Sequence, residues 1–214
     1  MLRLHDFAAS ANCYKVRLLL AQLGIEYERV PVDLFAGESQ TDAYLAKNPA
    51  GRAPVLELDS GDHLAESGAI LLLLAEGTPL LPDDRLGRAR ATQWLFFEQN
   101  LLEPNIGTAR FWLLTGRAEG HDALLERWRS LGRSALAVLE RQLARTDFLL
   151  GEHYSVSDIG LYAYTHVASE AGLELPEFRA VEAWLRRVEA TSGFINDLEP
   201  YPKHAGRGGR SAHG

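Results

Sequence analysis

The sequence predicts a small α/β domain followed by an all-helical domain, and three observations support this architecture. Short apolar runs alternate with helical periods up to about residue 76. Thr78–Gly87, with two prolines and two adjacent aspartates, then has the composition of a linker. Beyond it the apolar residues recur with a helical period, and no strand pattern returns. We therefore predict an α/β domain at 1–76, a linker at 77–87, a helical domain at 88–200 and a disordered tail at 201–214.

The first domain has the pattern β-α-β-α-β-β-α. An apolar run from Leu2 to Phe7 predicts the first strand, and Gly24 can end the first helix. That helix has an apolar face made by Val16, Leu19, Leu20 and Leu23. The remaining predicted elements are a strand at 25–34, a weak helix at 41–47, a hairpin at 54–65 and a short buried helix that begins at Ser67.

Four apolar stripes predict the helices of the second domain. The first contains Trp94, Phe97 and Leu101, and Pro104 predicts a kink or the end of that helix. The other three stripes begin at Leu124, Ile159 and Val181.

Composition excludes several classes of function. The chain has 214 residues and a formal net charge of -7, which argues against nucleic-acid binding. No apolar run approaches the roughly 20 residues that span a bilayer, so we expect no membrane association. A single cysteine favours a reducing compartment, and we expect a cytoplasmic protein. The histidines are scattered, with no two spaced four residues apart, and we therefore expect no metal site.

Four stretches together resemble the cytosolic glutathione transferase superfamily, in its bacterial-type form with a Ser/Thr-x-Asn active site. They are the segments 10–16 (SANCYKV), 48–56 (NPAGRAPVL), 65–67 (AES) and 155–158 (SVSD). The resemblance implies a thioredoxin-like first domain, a helical second domain and a homodimer. It also implies glutathione as co-substrate, no cofactor, and a small electrophile, disulfide or peroxide as the second substrate.

The start of the first helix contains the candidate catalytic residues Ser10 and Asn12. Both are favoured helix N-caps, which is their structural interpretation. A helix N-terminus with a hydroxyl or amide donor also stabilises a thiolate, and the resemblance implies that these two residues hold the glutathione sulfur. Which of them is the main donor stays open. Cys13 has no partner cysteine for a dithiol cycle, so we interpret it as a packed small residue.

Two further stretches predict contacts with the rest of glutathione. The resemblance implies a cis bond between Ala53 and Pro54, with the Ala53 backbone facing the cysteinyl part. Ser67 at a helix N-terminus suits a carboxylate, and Glu66 beside it suits an ammonium group. They would bind the two ends of the γ-glutamyl group.

Cations and aromatic residues complete the candidate site. Lys47 and Arg52 lie near the proline loop and are candidates for binding the glycyl carboxylate. Phe7, Arg110 and Trp112 are candidates for the pocket of the second substrate, although aromatic residues there also suit a core or a dimer interface.

Ser155 and Asp158 have the spacing of a capping box, and we assign them to folding rather than chemistry. The resemblance therefore implies a glutathione transferase of the detoxification type, with disulfide or peroxide reduction as an additional activity. The alternatives are a non-catalytic binding module of the same fold, and a glutathione-dependent isomerase or dehalogenase.

Overall fold

The computed structural model describes residues 1–206, and its first domain is built on a four-stranded sheet in the order β2-β1-β3-β4. β1 pairs in parallel with β2 and antiparallel with β3, which pairs antiparallel with β4. The strands are β1 (Leu2–Asp6), β2 (Tyr27–Pro31), β3 (Val55–Glu57) and β4 (His63–Ala65). Together with the helical second domain, this mixed sheet confirms the predicted fold class.

Helices cover both faces of the sheet. They are α1 (Ala11–Leu23), α2 (Asp42–Leu45) and α3 (Ser67–Leu74). Leu4 and Leu56 of the sheet pack in one apolar cluster with residues of α1 and α3. On the opposite face Tyr44 of α2 packs in a second cluster with Val55. Alternate residues of each strand therefore meet different helices, as the pleat requires.

The second domain contains five α-helices within the described chain. They are α4 (Arg85–Phe97), α5 (Thr108–Leu114), α6 (Asp122–Leu143), α7 (Val156–Thr165) and α8 (Arg179–Glu189). α4 begins inside the predicted 77–87 linker, because the Asp84 side chain accepts a 2.9 Å hydrogen bond from the Gly87 N–H and caps the helix. None of the helices in residues 1–206 has the length and apolar character needed to span a membrane.

Pro104 neither ends the helix nor simply kinks it. α4 continues directly into a π-helical segment, Glu98–Gly107, that contains Pro104, and this segment leads into α5. A proline has no N–H for the regular α-helical hydrogen bond, and the wider π-helical winding accommodates this missing donor.

The predicted capping box is present at the start of α7. Buried Asp158 accepts hydrogen bonds from the backbone N–H groups of Ser155 and Leu149 and from Nε1 of Trp184. The Ser155 hydroxyl also donates to the same carboxylate. One side chain thus connects α7, the preceding loop and α8.

Contacts with α1 join the two domains. α1 packs against α7, and the Tyr14 hydroxyl donates a 2.7 Å hydrogen bond to the carbonyl of Ile195. Buried Arg17 pairs with Asp6 at 2.6 Å and with Asp197 at 2.9 Å. The segment after α8 is therefore fixed to the first domain.

The predicted disorder of 201–214 is wrong for its first six residues. The Tyr201 ring packs 5.5 Å from the Phe111 ring, between centroids, and Ala205 is buried. Arg117 donates a 2.6 Å hydrogen bond to the Ala205 carbonyl. An aromatic ring that buries its apolar surface outweighs the polar composition of its neighbours. The rest of the predicted tail, 207–214, lies outside the described residues.

Candidate functional site

A cleft lies between the first domain and the π-helical segment. Side chains of α1, the loop before β3, the N-terminus of α3 and the π-helical segment meet there. The lining residues are Asn12, Asn48, Arg52, Ala53, Pro54, Glu66, Ser67, Gln99 and Glu103. Six of the nine are candidate residues predicted from the sequence, and these six come from three separate stretches of chain.

The orientation of the Asn12 amide follows from its neighbours. Lys15 Nζ lies 2.7 Å from Asn12 Oδ1, and the Ser67 hydroxyl lies 3.3 Å from the same oxygen. An ammonium group can only donate, so the atom that faces it must be the amide oxygen. The Asn12 NH₂ group is therefore the part of the amide that is left to donate into the cleft.

A buried ion pair holds this arrangement from behind. Lys15 and Glu98 are each 1% exposed, and the Lys15 ammonium lies 2.7 Å from Glu98 Oε2. Gln99 Nε2 also donates to Oε2, at 2.8 Å. Within residues 1–206, Oε1 of Glu98 is the buried side-chain polar atom without a hydrogen-bond partner. Because Glu98 belongs to the second domain, the orientation of Asn12 depends on both domains.

Ser10 is the N-cap of α1, and its hydroxyl oxygen accepts a 3.3 Å hydrogen bond from the Cys13 N–H. The hydroxyl proton stays free to donate, but Ser10 is not among the residues that line the cleft. Cys13 is fully buried, and burial raises the pKa of its thiol to about 12. It is a packed residue, in agreement with our interpretation, and not a thiolate at neutral pH.

The loop before β3 is fixed by hydrogen bonds to its own backbone. The Arg52 carbonyl accepts from Asn48 Nδ2 at 2.8 Å and from the Tyr44 hydroxyl at 3.1 Å. The peptide bond between Ala53 and Pro54 is cis, as the resemblance implies. Both residues line the cleft.

The N-terminus of α3 opens into the cleft. Ser67 is the first residue of α3, and exposed Glu66 occupies the N-cap position with a φ of 68°. A positive φ is uncommon for a residue with a side chain and marks a constrained turn. The first N–H groups of a helix have no partner inside the helix, so they are available to an anion. An acidic side chain and an anion site thus lie side by side.

Charges of both signs surround the cleft. Arg52 is exposed at its rim, and Glu66 and Glu103 face it from different domains. Burial, with a contribution from the charge of Glu98, raises the pKa of Glu103. The cleft therefore suits a ligand that carries both ammonium and carboxylate groups.

Lys47 does not join this site. Its ammonium lies 3.0 Å from His63 Nε2 and 3.5 Å from Glu57 Oε2, on the face of the sheet that α2 covers. Lys47 is absent from the cleft lining, whereas Arg52 is present.

Two of the three candidates for the second-substrate pocket, Phe7 and Arg110, both pack against Tyr201, whereas Trp112 packs elsewhere in the helical domain. Phe7 packs its ring 5.7 Å from the Phe35 ring, close to Tyr201. Arg110 is buried and forms a 2.5 Å ion pair with Glu170. Trp112 packs at 5.0 Å between centroids against Trp128 and is part of the helical domain.

The residues that the sequence analysis missed have weak sequence signals. Asn48, Gln99 and Glu103 are ordinary polar residues whose position depends on the path of the chain. Lys15 gave a usable signal, because a lysine inside the apolar run CYKVRLLL needs a buried partner. Its partner Glu98 follows directly after the apolar pair Phe96 and Phe97.

Comparison with known protein families identifies both parts of the chain. Residues 4–81 match the family model described as glutathione S-transferase, N-terminal domain. Residues 122–187 match the one described as glutathione S-transferase, C-terminal domain. The chain belongs to the glutathione S-transferase family. The predicted resemblance to the cytosolic glutathione transferase superfamily is thereby confirmed.

Solved structures of glutathione S-transferases share this fold. One from Pseudomonas fluorescens is 45% identical, with a TM-score of 0.90, and the match covers 92% of this chain and 99% of that one. A second family member from Pseudomonas fluorescens was solved with two glutathione molecules bound. It is 26% identical, with a TM-score of 0.80 and 92% coverage of both chains.

Curated relatives of this glutathione S-transferase family member differ in activity. Maleylacetoacetate isomerase from Pseudomonas aeruginosa is 32% identical, over 87% of this chain and 89% of that protein. The disulfide-bond oxidoreductase YfcG from Escherichia coli is 29% identical, over 86% of this chain and 88% of that protein.

Proposed function

We propose that the protein is a glutathione transferase that binds glutathione in the described cleft and activates its thiol as a thiolate. The observation that carries this proposal is the orientation of Asn12, whose oxygen is held by Lys15 so that its NH₂ group can donate to sulfur. The thiolate would attack a small electrophile, form the carbon–sulfur bond and expel the leaving group. Glutathione enters as a substrate, and the chemistry requires no further cofactor.

The site has enough donors for this task. A thiol with a pKa of about 8.5 is only about 3% ionised at pH 7. Lowering the pKa by about two units requires about 2.7 kcal/mol of preferential stabilisation. One hydrogen bond to a charged group contributes about 1.5–3 kcal/mol, and the N-terminus of α1 adds about 0.3–1 kcal/mol. A hydrogen bond from Asn12, with Ser10 as a second donor, is therefore enough to lower the thiol pKa by about two units.

The rest of the tripeptide matches the charges of the cleft. Ser67 at the N-terminus of α3 would hold the γ-glutamyl carboxylate, and Glu66 would pair with the adjacent ammonium group. The Ala53 backbone would pair with the cysteinyl part, and Arg52 would meet the glycyl carboxylate.

A second activity, glutathione-dependent disulfide reduction, is supported by Asn12 and by the similarity to the oxidoreductase YfcG. The thiolate would attack one sulfur of a disulfide and release the other as a thiolate. A second glutathione would then resolve the mixed disulfide. This reaction needs the same activated thiol and differs only in the second substrate.

Turnover assays test the proposal. Purified protein is incubated with glutathione and an aryl chloride, and conjugate formation is followed by absorbance. In parallel, glutathione and a small disulfide are supplied and oxidised glutathione is measured. We expect turnover in at least one assay and a loss of 10-fold or more in Asn12→Ala. Exposed Asn100 provides the matched control, and Asn100→Ala should keep the wild-type rate.

Two outcomes would contradict parts of this proposal. Absence of turnover in both assays, with glutathione still bound, would leave a non-catalytic binding module. Equal rates for wild type and Asn12→Ala would remove Asn12 from the mechanism.

We also propose that the protein acts in the cytoplasm as a homodimer. Leu73 of α3 and Leu86 and Phe96 of α4 are exposed apolar side chains on two neighbouring helices. Light scattering should give twice the 23.7 kDa mass of the chain, and a monomeric mass would contradict this proposal.

A further inference from the structure

A second cluster of functional side chains lies on the sheet face that α2 covers. His5 on β1, Glu57 on β3 and His63 on β4 come from three neighbouring strands. Glu57 pairs directly with His63, while His5 lies two residues from the β1 partner of Glu57. His5 is far from Glu57 and His63 in the sequence, the three have no helical spacing, and strand pairing brings them together.

The spacing of the cluster is compatible with a bound metal ion. Glu57 Oε2 lies 3.0 Å from His5 Nε2 and 3.5 Å from His63 Nε2, and the three ligand atoms lie within 4.8 Å of one another. Ligands of a tetrahedral Zn²⁺ ion, at bond lengths of 2.0–2.2 Å, are about 3.4 Å apart. We propose that His5, Glu57 and His63 bind a divalent transition-metal ion such as Zn²⁺.

Lys47 marks the place where a cation lies in this cluster. Its ammonium is 3.0 Å from His63 Nε2 and 3.5 Å from Glu57 Oε2, so it interacts with two of the three ligand atoms. The Lys47 side chain is 27% exposed, and its flexible stem can release the ammonium to water. A metal ion would replace this ammonium, and Lys47 therefore acts as an internal competitor.

The positive charge of neighbouring Arg3 is not devoted to Glu57 alone. It pairs with Glu57 at 3.2 Å and with Glu28 at 2.9 Å, so a second carboxylate shares its charge. Two imidazoles and one carboxylate form a ligand set that Zn²⁺ and Co²⁺ accept, with a fourth position for water. His63 is partly exposed, which gives an ion access from solvent.

The proposed metal site is separate from the glutathione cleft. None of its three ligands is among the residues that line the cleft. Its existence therefore does not depend on the transferase activity, and each can be tested without the other.

Co²⁺ titration of the full chain tests the proposal, because the visible absorption of Co²⁺ reports nitrogen ligands and low coordination number. We expect one ion per chain with an intense visible band, and competition by Zn²⁺. His63→Ala and His5→Ala should each weaken binding 10-fold or more. Lys47→Met should tighten binding about 10-fold, because the internal competitor is gone. Exposed His153 supplies the matched control, and His153→Ala should bind Co²⁺ as the wild type does.

If Lys47→Met tightens Co²⁺ binding and His63→Ala weakens it, the ion binds at this cluster. Weak binding elsewhere on the surface would not respond to both substitutions in this way. The proposal is overturned if neither wild type nor Lys47→Met develops the visible band, or if His63→Ala retains it. Circular dichroism of each variant confirms that it is folded. His63→Gln, which keeps the size and polarity of the side chain but lacks the imidazole, gives a second loss-of-ligand variant.

Discussion

At the residue scale, Lys15 supports the candidate site without lining the cleft. It holds Asn12 through one hydrogen bond and Glu98 through an ion pair, both of 2.7 Å. A lysine is rarely this deeply buried unless it is paired. The pair therefore couples the stability of the protein to the orientation of a proposed catalytic amide.

Replacing Lys15 by methionine should destabilise the protein by about 3–5 kcal/mol, because Glu98 would be left buried without its counter-ion. The double variant Lys15→Met/Glu98→Gln should recover a large part of this loss. Urea denaturation measures both free energies of unfolding. A single variant as stable as the wild type would show that the ion pair is not buried as described.

For single residues, the sequence predicted which side chains are candidates for the site better than it predicted their contacts. Ser10, Asn12, Glu66 and Ser67 were predicted as candidates because helix N-termini have recognisable sequence patterns. Lys47 was misplaced, because a loop cation gives no sign of the direction in which it points. Its partners Glu57 and His63 depend on strand pairing that residue types do not encode.

At the scale of secondary-structure elements, the start of α7 is held by one side chain. The Asp158 carboxylate accepts four hydrogen bonds from Leu149, Ser155 and Trp184. A carboxylate has only acceptors, which matches a site that contains only donors.

Asp158→Asn should destabilise the protein by about 2–4 kcal/mol, because the amide NH₂ would face N–H donors instead of accepting from them. Thermal or urea unfolding gives the value directly. Exposed Asp83 is the matched control, and Asp83→Asn should change stability by less than about 0.5 kcal/mol. A small effect at Asp158 would mean that the capping box does not stabilise the fold.

Elements with strong periodicity or clear caps were predictable, and the irregular ones were not. α1 ends at Gly24, as predicted, because glycine accepts the left-handed conformation with a φ of 64°. The π-helical segment around Pro104 could not be foreseen, because its winding depends on packing against α6 and α7 as well as on the missing N–H.

In the molecule as a whole, stability should depend on pH through His166, at the end of α7. Its ring stacks on Tyr162 at 4.6 Å between centroids, and its Nδ1 lies 2.9 Å from the Tyr162 carbonyl. Burial lowers the pKa of His166 to about 4, from 6.5, and the charge of Arg110 acts in the same direction.

The unfolded chain thus binds a proton at His166 below about pH 6.5, whereas the folded chain does so only near pH 4. The contribution of neutral His166 to the free energy of unfolding is fully present above pH 6.5. It is lost as the pH falls towards 4, and it amounts to at most about 3 kcal/mol. His166→Phe should remove this part of the pH dependence in urea denaturation between pH 7.5 and 4.5. His153→Phe, at an exposed site, should keep it. An unchanged slope in His166→Phe would contradict the assignment.

The division into an α/β part and a helical part was predictable because it depends on periodicity alone. The contacts that join the parts were not, since Tyr14, Arg17 and Lys15 find partners more than 80 residues away. The cleft lies at this junction, so its π-helical wall is one part of the site that the sequence did not predict.

The central claim is that the cleft binds glutathione and ionises its thiol, and a pH titration of thiolate absorbance in the bound state tests it most directly. For the wild type we predict a bound-thiol pKa about two units below the free value of about 8.5. Asn12→Ala should lose more than half of this shift, and Ser10→Ala less than half. Glutathione that binds to the wild type but ionises as it does in water would contradict the account.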